Sequence, residues 1–187
     1  MTWFNPGGFK PRHFLYKEFR LVSKIMKSDE TKKEVVVALD NVRSVHNVGA
    51  IFRTSDALGI DKIFLCGITP TPIDRFGRER SDLHKSALGA EKSVSWEHHS
   101  STLLCVEQLK KEGYTVVCIE QSKNSVDYKT VTLKNKTCFV FGNEIEGISK
   151  DILEQADQIA EIQMMGEKES LNVSVTFGIM MFRMLDR

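Results

Sequence analysis

The feature that most constrains the fold is a repeated alternation of short apolar runs with helical patterns after residue 33. The first run, EVVVALD (34–40), has the continuous apolar pattern of a strand that is buried on both faces. Further strand-like runs cover 61–68, 93–97, 114–121, 136–144 and 160–164. This order of elements predicts an α/β fold with a mostly parallel sheet and helices on both of its faces.

Helical patterns fill the intervals between these runs. Asn47 is a plausible N-cap of the helix NVGAIFRTSDALG, and Gly59 marks its end. Further helices are predicted at 81–88, 101–113, 149–157 (opened by Ser149) and 170–187. Residues 69–80, TPTPIDRFGRER, contain two prolines, a glycine and three arginines, and therefore predict an exposed loop.

The N-terminal segment 1–33 is basic, with eight Lys and Arg residues against three acidic ones, although the whole chain has a net charge of only +1. We predict a helical extension here, helix-like from about His13 to Lys27, ahead of a single α/β domain at 34–187. Its positive charge has two interpretations, a solvated amphipathic helix or a surface that binds phosphate groups.

No apolar run approaches the roughly 20 residues that cross a bilayer, and the N-terminus lacks the apolar run of a signal peptide. We therefore expect a cytoplasmic protein. Cys66, Cys118 and Cys138 lie in apolar strand-like runs, which predicts buried small hydrophobic side chains. Cys105 follows His98–His99 without a second cysteine or a suitable carboxylate at ligand spacing, so no metal site is predicted.

Three polar segments that contain glycine follow predicted strands, at the sheet edge where parallel α/β proteins bind ligands. They are DNVRSVHNVGAIFRT after 34–40, FGNEIEGIS after 136–141 and MMGEKESLNVS after 160–164. The chain has no GxGxxG after its first strand and no GxxxxGK[ST], GxSxG or HExxH motif. Methyl transfer from a sulfonium donor suits such a site, because the donor already carries the activated group.

In order and spacing, these segments resemble the three motifs of the SpoU/TrmH family of SPOUT-class RNA methyltransferases. The resemblance covers about residues 34–187, through NVGAIFRTSDALG, FGNEIEGIS and SLNVSV. It implies methylation of a ribose 2′-hydroxyl in structured tRNA or rRNA, with S-adenosylmethionine as methyl donor. It also implies a Rossmann-like fold with a C-terminal trefoil knot, and a homodimer whose sites are completed near the subunit interface.

The resemblance also implies roles for individual residues. The residues that match functional positions of the motifs are Asn47, Arg53, Glu144, Ser170 and Asn172. The positions whose backbone would hold the cofactor are Gly142, Ile162 and Leu171. A guanidinium stays protonated at neutral pH, so we expect Arg53 to hold a phosphate and stabilise an alkoxide, and the proton acceptor stays open. Asn47 and Asn172 have a simpler alternative role as helix caps, and Glu144 as a solvated loop residue.

Two other functions compete with ribose methylation. One is RNA base methylation, as in more distant SPOUT enzymes, although SLNVSV and NVGAIFR favour the ribose branch. The other is a non-catalytic RNA-binding or ribosome-assembly protein, which would not need all five motif residues. The last helix contains Met180, Met181, Phe182 and Met184. These side chains predict either a core helix or part of the dimer interface.

Overall fold

The computed structural model describes residues 33–186, which contain seven strands and six α-helices. The strands are β1 (Glu34–Asp40), β2 (Lys62–Cys66), β3 (Ser95–His99), β4 (Thr115–Ile119), β5 (Val126–Asp127), β6 (Lys136–Gly142) and β7 (Gln158–Glu161). The helices are α1 (Val45–Leu58), α2 (Ser81–Ala87), α3 (Ala90–Ser93), α4 (Thr102–Lys111), α5 (Lys150–Gln155) and α6 (Val173–Met184). The helix predicted from about His13 to Lys27 lies outside the described residues.

The seven strands form one sheet in the order β3-β2-β1-β6-β4-β7-β5, and each pair of neighbouring strands is parallel. In the middle of the sheet, Val37 of β1 lies between Ile63 of β2 and Phe139 of β6. The predicted parallel sheet is therefore confirmed. Strand order does not test how the chain threads, so the trefoil knot stays a prediction.

Alternate residues of the strands face two separate hydrophobic layers. Val35, Val37 and Leu39 of β1 pack in the layer that includes buried residues of α1, α2, α3 and α6. Val36 and Ala38 face the opposite layer, which includes buried residues of α4 and α5. Because side chains alternate along a strand, both faces of the sheet are covered, as the continuous apolar runs predict.

The four cysteines all face the layer under α4 and α5, where they are buried and form no disulfide. Burial raises the pKa of the Cys118 thiol to about 12 and keeps this thiol protonated at neutral pH. The prediction of buried small hydrophobic side chains is confirmed for Cys66, Cys118 and Cys138. Within residues 33–186 no cluster of three or more His, Cys, Asp or Glu side chains is arranged to hold a metal ion. No helix in the same range is long and apolar enough to cross a membrane.

Three local predictions differ from the structure. The N-cap of α1 is Ser44, whose hydroxyl accepts a hydrogen bond from the Asn47 backbone at 3.3 Å, so the N-cap prediction for Asn47 is wrong. The strand predicted at 160–164 overlaps β7 at two residues only, because residues after 161 leave the sheet for the site. The short elements α3 and β5 were not predicted.

Helix α6 divides its apolar residues between the core and the surface. Met180 and Met181 are fully buried beneath the sheet, so these methionines are core residues. The side chains on the outer face are Val175, Ile179 and Phe182, with 48%, 42% and 42% of their surface exposed. Their spacing of four and three residues places them in one stripe along the helix.

Candidate active site

The three predicted motif segments meet through a chain of side-chain hydrogen bonds. The Asn47 Nδ2 group of α1 donates to Glu144 Oε1 in the loop after β6. Asn172 Nδ2, just before α6, donates to Asn47 Oδ1 at 3.2 Å. Asn172 Oδ1 also accepts from the Ser174 backbone N–H at 2.9 Å and therefore caps α6. One contact network thus joins residues that are 125 positions apart in the sequence.

A tight loop follows β6 and presents Glu144. The buried side chain of Asn143 folds it: Asn143 Oδ1 accepts from the backbone N–H groups of Ile145 at 3.0 Å and Glu146 at 2.8 Å. Glu120, which follows β4, fixes the far end of the loop by accepting from the Ile148 backbone at 2.9 Å. Hydrogen bonds at both ends of the loop therefore give it a defined shape.

Gly142 allows this loop to fold back over the end of β6. A β-carbon at position 142 would lie 2.5 Å from the carbonyl carbon of Gly147 and 2.7 Å from the backbone nitrogen of Ile148. Gly147 itself has a positive φ of 65°, a conformation that glycine adopts without steric penalty. Gly142 is therefore required because the backbone approaches closely, and Gly147 is favoured because of its positive φ.

A cavity of about 430 Å³ opens beside this loop, at the carboxyl ends of β4, β6 and β7. Its walls include all three predicted cofactor positions and two of the predicted catalytic residues, namely Gly142, Ile162, Leu171, Glu144 and Ser170. This volume lies within the range of small-molecule and cofactor sites. Ile119 and Phe141 supply apolar lining, while the polar groups lie on the surrounding loops.

The charge of the cavity wall is negative. Four carboxylates line it, and no Lys or Arg side chain of residues 33–186 does. The four are Glu120, Glu144, Glu146 and Glu161. A cavity with this lining favours a ligand that carries positive charge. Gln121 closes one side, because its Nε2 group donates to the Glu169 carbonyl at 2.5 Å and ties the third segment to the end of β4.

Arg53 lies outside this arrangement. It is exposed on α1, and within residues 33–186 its side chain has no hydrogen bond or ion pair. Arg53 is six positions after Asn47, which places the two side chains about 120° apart around the helix, so they point in different directions. The structure brings Asn47, Glu144 and Asn172 together and places Ser170 in the cavity wall, but it does not bring Arg53 to them.

Three further residues of the site were not predicted from the sequence. Arg43 pairs with Glu146 at 3.0 Å and links the first segment to the second. Glu120 and Asn143 shape the loop that presents Glu144. Both had a recognisable signal, since Glu120 is a carboxylate directly after a buried strand, and Asn beside Gly commonly folds a turn.

Asp40 lies beneath the site at the end of β1 and is 3% exposed. Its Oδ1 atom accepts from the Thr102 hydroxyl at 2.5 Å and from Asn41 Nδ2 at 2.8 Å. Burial raises the pKa of this carboxyl, and the hydrogen bonds offset part of that rise. Asp40 therefore links the start of the first segment to Thr102 of α4.

This fold and this cavity define a class: parallel α/β proteins that bind a small ligand beyond the carboxyl ends of their central strands. Within that class, the chain belongs to the SpoU rRNA Methylase family, whose sequence model matches residues 34–182. The family predicted from the three motif segments is thereby confirmed.

Two similar proteins from different organisms are described by the same activity. The tRNA (guanosine(18)-2′-O)-methyltransferase of Aquifex aeolicus is 32% identical over 154 residues, which are 82% of this chain and 70% of that protein. The protein of the same name from Escherichia coli is 30% identical over 149 residues, 80% of this chain and 62% of its own length. Each of these relatives is therefore longer than the segment it shares with this chain.

Solved structures show the same fold. The AdoMet-bound rRNA methyltransferase from Sinorhizobium meliloti superposes with a TM-score of 0.74 at 29% identity, over 82% of this chain and 56% of that one. The TrmH/SpoU tRNA modifying enzyme of A. aeolicus superposes with a TM-score of 0.73 at 29% identity, over 92% and 83% of the two chains.

Proposed function

We propose that this chain is a cytoplasmic methyltransferase that transfers a methyl group from S-adenosylmethionine to a ribose 2′-hydroxyl of a structured tRNA or rRNA. The observation that carries the proposal is the hydrogen-bonded junction of Asn47, Glu144 and Asn172 beside the cavity. Two relatives named as tRNA 2′-O-methyltransferases and an AdoMet-bound structural relative support it.

The residues around the cavity fit S-adenosylmethionine. Its adenosine part suits the apolar lining of Ile119 and Phe141, and its positive sulfonium and ammonium groups suit the surrounding carboxylates. Gly142, Ile162 and Leu171 line the cavity, and their backbone groups would hold the cofactor. When bound, this cofactor supplies a methyl group that is already activated by the positive sulfur.

The chain's own residues then have to orient the RNA and manage one proton. Asn47 and Asn172 hold the Glu144 carboxylate and the third segment in fixed positions beside the cavity. Ser170 and Glu144 line the space that a ribose would approach. We assign Arg53 to the RNA phosphate and to the developing alkoxide, because a fixed cation stabilises both.

Arg53 is exposed on α1 and does not contact the site of its own subunit, and a homodimer would allow it to act at the site of a partner. Helix α1 packs against α6, and the outer face of α6 carries the apolar stripe of Val175, Ile179 and Phe182. A second copy on this stripe would bury it and bring the partner's site towards α1. We therefore propose that Arg53 acts where two subunits meet.

Light scattering at micromolar concentration tests the dimer. The wild-type protein should have twice the chain mass, and Ile179→Lys should shift it towards the monomer, because a charge in an apolar interface is unfavourable. Leu104→Lys is the matched control, since Leu104 is exposed on α4 at the opposite face of the sheet. A fully active wild-type monomer would contradict the arrangement.

Labelled methyl transfer from S-adenosylmethionine to unmodified tRNA and rRNA transcripts tests the activity, with nucleoside mass spectrometry to identify the product. We expect a 2′-O-methylated nucleoside. A second transcript, with deoxyribose at that position only, should bind the protein and accept no methyl group, because the nucleophile is missing. Methylation of the deoxy transcript would instead assign the reaction to the base.

A further inference from the structure

The exposed loop after β2 folds into a small hairpin, here called the Phe76 hairpin (residues 73–79). Ile73 and Glu79 form an antiparallel bridge, and the Asp74 backbone N–H donates to the Arg78 carbonyl at 2.8 Å. At the tip, Asp74 Oδ1 accepts from the backbone N–H groups of Phe76 at 2.8 Å and Arg78 at 2.9 Å. The hairpin is thus held in shape by its own hydrogen bonds.

The tip of the hairpin presents an aromatic ring with two cations close to it. Phe76 is 63% exposed, and the guanidinium carbons of Arg75 and Arg78 lie 4.8 Å and 5.2 Å from its ring centre. Neither arginine forms an ion pair with a carboxylate in the described part of the chain, whereas nearby Arg80 and Lys92 do. The two arginine charges and the exposed Phe76 ring are therefore available to bind a ligand.

The hairpin leaves the same edge of the sheet as the cavity. Thr69, in the segment that leads to the hairpin, donates through its hydroxyl to the Leu39 carbonyl and accepts from the Val42 backbone, both at 3.0 Å, which fixes this segment to the end of β1. Strand β2 lies two positions from β6, so the ends of these two strands are about 10 Å apart at ordinary strand spacing. The hairpin itself lies beside α3 and β3, where Glu79 pairs with Lys92 at 2.9 Å and Ile73 lies near Trp96.

We propose that the Phe76 hairpin binds the substrate RNA outside the cavity, with Phe76 stacked on an unpaired nucleobase and Arg75 and Arg78 on flanking phosphates. This inference rests on the proposed function, because it takes RNA as the substrate. Proteins recognise RNA largely through unpaired bases stacked on aromatic rings or guanidinium planes. Arginine suits phosphate because its planar fork donates two hydrogen bonds.

The first test separates base stacking from charge. Filter binding compares a 12-nucleotide oligoadenylate with an abasic ribose-phosphate strand of equal length. Phe76→Ala should weaken oligoadenylate binding roughly 5- to 150-fold and leave the abasic strand unaffected, while Phe76→Trp should retain binding. Leu104→Ala, at a position that is 62% exposed on the other face, is the control and should change neither.

The second test measures how much Arg75 and Arg78 contribute to the salt dependence of RNA binding. Replacing Arg75 and Arg78 by Gln should reduce the salt dependence of oligoadenylate binding by a slope of about 1.4, since each phosphate contact on a single strand contributes about 0.7. Lys111→Gln is the control, because the end of α4 lies at the opposite edge of the parallel sheet. An unchanged slope would overturn the phosphate assignment.

Methyl transfer distinguishes this proposal from the proposed function. Phe76→Ala should raise the KM for RNA several-fold and leave the affinity for S-adenosylmethionine and kcat at saturating RNA near wild type. If the wild-type enzyme methylates RNA and Phe76→Ala has unchanged KM and Kd for RNA, the RNA-binding role of the hairpin is refuted and the proposed function stands. An equal loss on oligoadenylate and the abasic strand would overturn base stacking. A wild-type protein that methylates no RNA would overturn the proposed function.

Discussion

Replacing Gly142 by alanine is the sharpest test of how the cavity is built. The new β-carbon would lie 2.5 Å, 2.6 Å and 2.7 Å from three backbone atoms of Gly147 and Ile148. No flexible side chain is available to rotate away, because all three atoms are main-chain. The Asn143 and Glu120 hydrogen bonds hold this stretch in place, so the whole loop must shift.

The size of the effect follows from that geometry. Overpacking a well-packed site by one methyl group lowers the free energy of unfolding by about 1–3 kcal/mol, and rigid main-chain neighbours place this case near 2–3 kcal/mol. For a chain of this size, the melting temperature should fall by about 4–12 °C. Binding of S-adenosylmethionine should weaken at least about fivefold, because a displaced loop loses at least one backbone hydrogen bond worth about 1 kcal/mol.

Urea unfolding and titration calorimetry measure the two effects separately. Gly166→Ala is the matched control, since it lies in the third segment and its β-carbon would meet nothing within 4 Å. The control should stay within about 0.5 kcal/mol of wild type. The reasoning fails if Gly142→Ala is as stable as the control and binds S-adenosylmethionine with wild-type affinity.

Three further substitutions test individual roles. Arg53→Ala should lower the methyl transfer rate by about 10²–10³ with calorimetric cofactor affinity within twofold of wild type, and Arg53→Lys should recover little of it. Asn172→Ser should keep the α6 cap and a near-wild-type free energy of unfolding but lose methyl transfer with the Asn47 contact, whereas Asn172→Ala should also lose about 0.5–2 kcal/mol of stability. Burial raises the pKa of Asp40 in the folded protein. As pH rises from about 4 through that raised pKa, the free energy of unfolding of the wild type should therefore fall relative to that of Asp40→Asn. Urea unfolding at several pH values measures this difference.

The sequence predicts the elements whose burial is complete. Strand β1 matches its predicted bounds because all but one of its residues are buried, which leaves a continuous apolar signal. The meeting of the three motif segments also follows from sequence, since carboxyl ends of neighbouring parallel strands share one edge. Short elements give no such signal: the two residues of β5 form a strand only because β7 lies beside them.

Choices between neighbouring polar residues are harder to predict. Ser44 and Asn47 both have good N-cap side chains, and the structure uses the first as the cap and the second in the site. Met180 and Met181 of α6 are core residues. A Met-rich composition does not predict this, because burial depends on which face of the helix the sheet covers. The position of Glu120 after a buried strand marks it as a candidate for the site, but no local pattern predicts its hydrogen bond to the Ile148 backbone, 28 residues away.

The order of strands in the sheet has a consequence for synthesis of the protein. Among the strands of residues 33–186, β4 pairs only with β6 and β7, and β5 pairs only with β7. Within that part of the chain, β4 therefore has no strand partner until β6 is made, and β5 has none until β7 is made. The first three strands can pair as they are made, but the rest of the sheet must wait for strands inserted between existing ones. Such long-range pairing slows folding and leaves strand edges open to aggregation meanwhile. The loops that build the cofactor cavity follow those same late strands, so a nascent or truncated chain ending before α6 would gain no stability from S-adenosylmethionine.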